Sequence, residues 1–313
     1  MDVLLEGLRA AGEPTRLRLL AVCAHGELTV SELTQILGQS QPRVSRHLKL
    51  LCEAGLLDRF REGTWAFYRL SEQGACAHLA RTLVDLIPED DALLTRDLER
   101  LEAVKQVRAE AAAAYFRANA ARWDQIRSLY VPEENVELAL LDLLGDGEID
   151  ELLDIGTGTG RLLEVLAPRV RRGVGIDMSR EMLAIARANL EQAQLRHCQV
   201  RLGDMYHLPV SADSVDVVTF HQVLHYADDP GTAIAEAARV LKPGGRLAVV
   251  DFLPHELEFL RQEHAHRRLG FSDQEVAGWY RNAGLDPVVE RRLAGDPLTV
   301  GIWLARQPER RVQ

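Results

Sequence analysis

Three glycines at alternate positions, Gly156, Gly158 and Gly160, follow the apolar run Leu152-Leu153-Asp154-Ile155, and a short amphipathic run from Leu162 to Ala167 comes after them. Glycine takes positive φ and lets another group approach the main chain where a Cβ would block it. Such a turn between a strand and a helix is where an open α/β sheet holds a nucleotide-like ligand. Three acids stand at equivalent places: Asp154 ends the first strand-like run, Asp177 ends Gly173 to Ile176, and Asp204 ends Cys198 to Gly203. A carboxylate facing a ribose diol accepts two charge-assisted hydrogen bonds, each worth about 1.5–3 kcal/mol. Any one of these acids alone reads as a helix cap or a solvated loop residue. Together with the glycine turn they predict a bound ligand. The dinucleotide pattern G-x-G-x-x-G is not met, because position 161 is Arg and the third glycine comes one position early, so NAD is the less favoured ligand.

Histidines form the second chemical grouping. Half of the ten lie in two places: His221 and His225 after the run Val215 to Phe220, and His255, His264 and His266 beyond the run Arg246 to Phe252. His221, His225, His255 and either His264 or His266 would line an acceptor pocket, supplying a base or holding a metal. The alternative is polar helix surface with one or two core histidines. The pair His264 and His266 cannot share a helix face and does not fit H-E-x-x-H, so no metal is assigned.

The elements that must position these groups alternate between strand and helix over residues 148–313, which predicts a parallel, doubly wound sheet. Leu285 to Arg292 and Leu298 to Ala305 read as closing antiparallel strands, and Lys242-Pro243-Gly244-Gly245 as a turn before Arg246. Residues 88–147 form a helical connector, with apolar positions from Leu94 to Val107 spaced for a helix that spaces the domains and pairs protomers. Its second half, with Tyr115, Phe116, Trp123 and Tyr130, is either more spacer or a lid over the ligand site. Hydrophobic content of 47% and charged content of 27% are those of a soluble globular protein, long enough at 313 residues for two cores. No apolar run approaches the ~18 residues of a membrane span and no signal peptide opens the chain, so a cytoplasmic protein is expected. Four scattered cysteines without a C-x-x-C pair argue against a disulfide framework and a cysteine-only metal site.

Net charge is −10, yet Gln39 to Leu70 carries six Arg/Lys against three acids. Within residues 1–87 a helix over Thr29 to Leu37, with capping-box spacing between Thr29 and Glu32, ends at Gly38. A second helix from Gln41 turns Val44, Leu48 and Leu51 inward and Gln41, Arg43, Ser45, Arg46 and Lys49 outward. Two strand-like runs around Glu62-Gly63 follow as a basic wing that includes Arg61. This is a helix-turn-helix with a wing: Arg43, Arg46 and Lys49 face phosphates, while Gln41 and Ser45 reach base edges. A helical subdomain with a merely solvated charged face is the alternative.

Through Glu13-Pro14-Thr15-Arg16-Leu17, the helix Ser40 to Leu51 with His47-Leu48, and Glu53-Ala54-Gly55-Leu56, residues 1–87 resemble the ArsR/SmtB winged-helix repressors. The resemblance implies a homodimer on a palindromic double-stranded operator. Many members sense metals through a Cys-x-Cys pair, where this chain has Thr29 and Ser31, so that site is absent. His47 reads as a groove or phosphate contact and not as a metal ligand.

Residues 148–313 resemble the class I S-adenosylmethionine-dependent methyltransferases, a Rossmann-like fold with a mostly parallel seven-stranded sheet. The resemblance places the Gly156, Gly158 and Gly160 turn under the methionine part of the cofactor and Asp154 by its ammonium group. Asp177 would hold the ribose and Asp204 the adenine amino group, with Met178 and Met205 against the ring and His221 near the methyl. The chain lacks the Asn/Asp-Pro-Pro-Tyr/Phe of nucleobase amino-methyltransferases after the fourth strand, and the thiols that arsenite methylation needs. A small-molecule acceptor is expected. The whole then reads as a DNA-binding regulator fused to a methyltransferase, or to a non-catalytic domain that senses S-adenosylmethionine or S-adenosylhomocysteine.

Overall fold

The computed structural model describes residues 1–62, 64–71, 74–88, 90–120 and 132–309. It divides into two compact units, Met1–Ala111 and Ala112–Gln313. Among the described residues no helix is long and apolar enough to cross a membrane.

In the first unit, α1 (Asp2–Ala11) and α2 (Pro14–Cys23) precede a short β1 (Leu28–Thr29), α3 (Val30–Leu37) and α4 (Gln41–Glu53). The strands β2 (Leu57–Glu62) and β3 (Trp65–Leu70) pair antiparallel, and β1 adds to β3. Helix α3 starts on the capping box read from the sequence: the Thr29 hydroxyl accepts from Glu32 N, and Glu32 accepts from Thr29 N at 2.8 Å. It stops at Gly38, whose φ of 63° is left-handed. The Thr29 side chain is therefore committed to starting a helix. Val44, Leu48 and Leu51 are fully buried beneath α4, against Leu19, Leu20 and Leu33.

Helices α5 (Ala77–Asp85) and α6 (Ala92–Asn119) follow. The early part of α6 is not a free spacer. Leu101 and Val104 are buried in the core of the first unit, and the fully buried Asp97 accepts two bonds from Arg18, at 2.5 and 2.7 Å. Arg100 adds a bond to the Ile36 carbonyl at 3.1 Å. Trp123 and Tyr130, read as lid residues, lie outside the described residues, as does the Tyr115 side chain.

The second unit is a doubly wound sheet. After α7 (Glu133–Leu144) come β4 (Ile149–Ile155), α8 (Arg161–Leu166), β5 (Val170–Asp177), α9 (Arg180–Gln192), β6 (Cys198–Leu202) and β7 (Val215–His221). They are followed by α10 (Pro230–Val240), β8 (Leu241–Phe252), α11 (Phe259–Glu263), α12 (Asp273–Asn282), β9 (Asp286–Ala294) and β10 (Thr299–Arg306). The strand order is β6-β5-β4-β7-β8-β10-β9, parallel from β6 to β8 and antiparallel beyond. Side chains alternate between the two faces, as a strand period of two requires. Leu152, Val217, Val250 and Ile302 meet α7, α8 and α9 on one face. Leu153, Val218, Val249 and Trp303 meet α10 and α12 on the other.

The turn expected at Lys242 to Gly245 lies inside β8. Leu241 already pairs with Val215, and pairing resumes at Arg246 with Val217 after a bulge. Gly244 has a φ of 78° there, and Lys242 reaches back to Asp216 at 2.8 Å, which holds the bulge against β7.

Candidate cofactor and acceptor site

The turn between β4 and α8 has the conformation the glycines were read for: φ is 71° at Gly156, 53° at Gly158 and 84° at Gly160. A Cβ at Gly156 would lie 2.7 Å from the Cβ of Val223, so the loop after β7 packs directly on the turn. Gly156 N and Thr157 N both donate to the Ile176 carbonyl, at 2.7 and 3.0 Å, fastening the turn to β5.

Asp177 completes the arrangement. Its carboxylate accepts from Gly158 N at 2.9 Å and from Ser179 N at 2.8 Å. Burial pushes this carboxyl above the usual range, against the lowering effect of those backbone donors. Asp154 is buried and accepts from the Thr219 hydroxyl at 2.7 Å. Asp204 accepts from Tyr206 N at 3.0 Å and lies 3.9 Å from His207 Nδ1. All three acids stand at the carboxyl edge of the parallel strands. Met178 is exposed, and Met205 is half-buried against the core face that carries Leu208 and Val218. Positive-φ glycines and a partly desolvated carboxylate at one sheet edge suit a ligand with a sugar diol and a charged tail.

The histidines divide. His221 ends β7 with Nε2 3.5 Å from Glu133 Oε1. The next residue, Gln222, has a φ of 53°, a conformation that costs a non-glycine residue energy and often marks a working site. His225 sits in the 3-10 turn Leu224–Tyr226, buried, with Nδ1 2.7 Å from Asp251 Oδ1 at the end of β8. His266 stacks on His225 at 4.0 Å between ring centroids, and Phe252 lies 5.3 Å from His225, 5.9 Å from His266 and 6.1 Å from His255.

Burial depresses His255 to about 4 and His266 well below the ordinary imidazole value. His264 is half-exposed, its ring 6.4 Å from His266, at the rim of the cluster. Ala265 between them has a φ of 56°, which turns one imidazole in and leaves the other at the rim. Gly270, with a φ of 87°, lets the segment close onto β8, since a Cβ there would lie 2.8 Å from the Phe252 carbonyl oxygen.

In the first unit Gln41, Arg43, Ser45, Arg46 and Lys49 are all exposed on α4, and Arg61 is exposed on β2. His47 differs from expectation. It turns toward Glu13, 3.7 Å from Nδ1, with its side chain only 14% exposed, so it braces α4 against the start of α2.

Residues 13–59 match the family described as bacterial regulatory protein, arsR family, and residues 153–249 match the methyltransferase domain family. The chain joins an arsR-family helix-turn-helix domain to a methyltransferase domain. It is 42% identical over 162 residues to a 37.1 kDa protein of transposon TN4556 from Streptomyces fradiae, covering 51% of this chain and 44% of that one. It is 35% identical over 105 residues to arsenite methyltransferase of Halobacterium salinarum, covering 33% and 27%. The chain thus spans less than half the length of these relatives. Among solved structures, a chain of the complex between the Haloferax volcanii Trm112 methyltransferase activator and a methyltransferase superimposes with a TM-score of 0.53. That match has 25% identity and covers 62% of this chain and 98% of that one.

The second unit also places charged and polar residues beside these groups that sequence reasoning passed over. Glu133 and Glu137 lie four apart on one face of α7. Glu137 accepts two bonds from Arg161, at 2.6 and 2.7 Å, just past the glycine turn, while Glu133 meets His221. Asp251 is a fourth strand-end acid, and the rule that singled out Asp154, Asp177 and Asp204 would have found it. Tyr206 accepts from Asp228 N and Asp229 N, tying the loop after β6 to the start of α10.

Proposed function

We propose that this chain is a cytoplasmic, dimeric DNA-binding regulator whose second unit binds S-adenosylmethionine and transfers its methyl group to a small molecule. The observation that carries the cofactor assignment is the contact of Asp177 with Gly158 N, which brings a partly desolvated carboxylate and a left-handed glycine turn to one sheet edge. On this reading Asp177 accepts from the ribose hydroxyls, Asp154 and Thr219 lie by the ammonium group, and Asp204 meets the adenine amino group beside Met178 and Met205. The cofactor supplies an electrophilic methyl. The protein holds it, excludes water and presents His221 beside the acceptor. Arsenite is not the proposed acceptor. Of the four cysteines only Cys198 lies in this unit, buried at the start of β6, the sheet edge opposite the acids.

The exposed row Gln41, Arg43, Ser45, Arg46 and Lys49 supports major-groove binding, with Arg61 on the flanking phosphates. Val3, Leu4, Leu5 and Leu8 form an exposed apolar face on α1 that supports pairing with a second copy, and hence a palindromic site.

A second reading rests on the DNA-reading helix in the same chain: S-adenosylmethionine or S-adenosylhomocysteine would act as a signal. A ~100-fold difference in affinity between two dimer states corresponds to about 2.7 kcal/mol of bias. Operator affinity measured with either ligand and with none separates the two. Methyl transfer from labelled S-adenosylmethionine with an unchanged operator affinity removes the sensor. A ligand-dependent shift without transfer removes the enzyme.

A further inference from the structure

Gln222 stands where the chain leaves β7, and its side chain is unfavourable there in two ways. Its φ of 53° is left-handed, a conformation that glycine takes without strain. Gln194 and Asp213 share it in exposed turns, where water satisfies their side chains, whereas Gln222 is only 8% exposed. Its carboxamide makes no hydrogen bond to the described residues, although buried polar groups are satisfied as a rule. The buried polar atoms sealed from solvent without a partner include His225 Nε2 and His266 Nδ1, but neither amide atom of Gln222. The carboxamide therefore opens onto solvent-filled space. A glycine would turn the chain here with less strain, and a methionine would fill a similar volume without desolvating an amide. Chain direction alone does not account for Gln222.

The place is the one at which an open sheet holds its ligand. The strand order reverses between β4 and β7, and the crevice lies at their carboxyl ends. Gln222 is fixed beside it. Its own N donates to the Val250 carbonyl at 2.7 Å, Val223 packs on the glycine turn at Gly156, and His221 ends β7 with Nε2 3.5 Å from Glu133 Oε1. His225 Nε2 and His266 Nδ1, by contrast, are closed within their stack with Phe252 and Tyr226 and reach no ligand.

We propose that the Gln222 carboxamide holds the methyl acceptor by accepting a hydrogen bond from its N–H, and that the acceptor is an amine. This rests on the methyl-transfer reading above. A carboxamide is neutral and carries an acceptor oxygen. With Oε1 taking an N–H, the amine's lone pair is left to point at the methyl carbon. The nitrogen lone pair forms the new N–C bond while the sulfonium C–S bond breaks with its electron pair on sulfur. The ammonium so formed gives one proton to water, and the products are a methylamine, S-adenosylhomocysteine and that proton. A hydroxyl would have to give up its proton during attack, and the bare nitrogens of His225 and His266 are closed to it. A carboxylate in place of Gln222 would favour the protonated amine, which has no lone pair to attack with.

Sinefungin tests the placement, since its amine stands where S-adenosylmethionine carries the sulfonium methyl and so puts an N–H donor at the point of transfer. Calorimetric titrations of the full chain should show sinefungin binding about 10-fold tighter than S-adenosylhomocysteine, from one charge-assisted hydrogen bond. Gln222→Met should bring the two ligands to near parity with S-adenosylhomocysteine affinity unchanged, and Gln222→Glu should widen the preference beyond wild type. Equal affinities in the wild-type chain, or a preference that survives Gln222→Met, overturns the proposal. So does a parallel loss of both ligands in the two variants, which would make Gln222 a structural residue of the turn. Tyramine, which carries one amine and one phenol, should receive label from S-adenosylmethionine on nitrogen, and label on oxygen or on neither overturns the amine assignment. If S-adenosylhomocysteine fails to bind the wild-type chain, the cofactor assignment falls and Gln222 with it. If it binds and only the sinefungin preference is missing, the Gln222 assignment falls alone.

Discussion

Gly156→Ala challenges the turn at its tightest point, and the size of the effect follows from two separate costs. A left-handed residue with a Cβ, at the observed φ of 71°, costs about 1–2 kcal/mol. The new methyl would also lie 2.7 and 2.9 Å from the Cβ and Cγ1 of Val223, and overpacking of this kind costs about 1–3 kcal/mol more. A combined loss of about 2–5 kcal/mol lowers the melting temperature of a domain of this size by roughly 5–15 °C. The two costs separate in a double-mutant cycle, because Val223→Ala in the Gly156→Ala background relieves the overlap and leaves the backbone strain. Differential scanning calorimetry on the four proteins should show about half of the loss recovered, with a coupling energy of at least 1 kcal/mol. An unchanged melting temperature for Gly156→Ala, or costs that simply add, would refute the packing of the β7 loop onto the turn.

Three further outcomes follow from the same geometry. His255, held near 4 by burial with His225 and Arg261 against the pull of Asp251 and Glu258, and His266, lowered by its burial, are both depressed below 6.5 in the folded chain. The unfolded chain therefore binds their protons first. The stability they contribute is present above about pH 6.5 and is lost as pH falls toward 4. Urea unfolding of the second unit at pH 5 and pH 7.5 should show the midpoint falling on acidification, and equal midpoints would contradict the burial of the cluster. Asp97→Ala leaves the Arg18 guanidinium, 17% exposed, without its carboxylate and should destabilise the first unit by about 3–5 kcal/mol, whereas a loss under 1 kcal/mol would mean that α6 is not anchored there. Arg46→Ala should weaken operator binding and reduce the slope of log affinity against log salt by about one, and an unchanged slope would place the phosphate contact elsewhere.

What the chain declares openly is local. The turn at Gly156 to Gly160, the acids at strand ends and the inward Val44, Leu48 and Leu51 depend on neighbours a few positions away, so their meaning is written in consecutive residues. The alternation that assigns Leu152 and Leu153 to opposite sheet faces is legible for the same reason. The parts that stayed hidden are made by distant contacts. Asp97 reads as one more acid on a helix surface until Arg18, 79 positions away, closes on it. Glu137 depends on Arg161 across 24 positions. His264 and His266 look equivalent in the sequence, and only the left-handed Ala265 sends one into the cluster and leaves the other at its rim. His47 sits on the boundary between the two faces of α4, where helical periodicity does not decide, and Glu13 decides it. At Lys242 to Gly245 the turn residues are real, but the ion pair of Lys242 with Asp216 folds them into a strand bulge.

The central claim is that the glycine turn holds S-adenosylmethionine. Calorimetric titration of S-adenosylmethionine into the full chain should give one site per chain, with S-adenosylhomocysteine competing for it. In Asp177→Ala the affinity should fall by at least 100-fold, since two charge-assisted bonds of about 1.5–3 kcal/mol each are removed. Retained affinity in Asp177→Ala, or binding of NAD in place of S-adenosylmethionine, would contradict it.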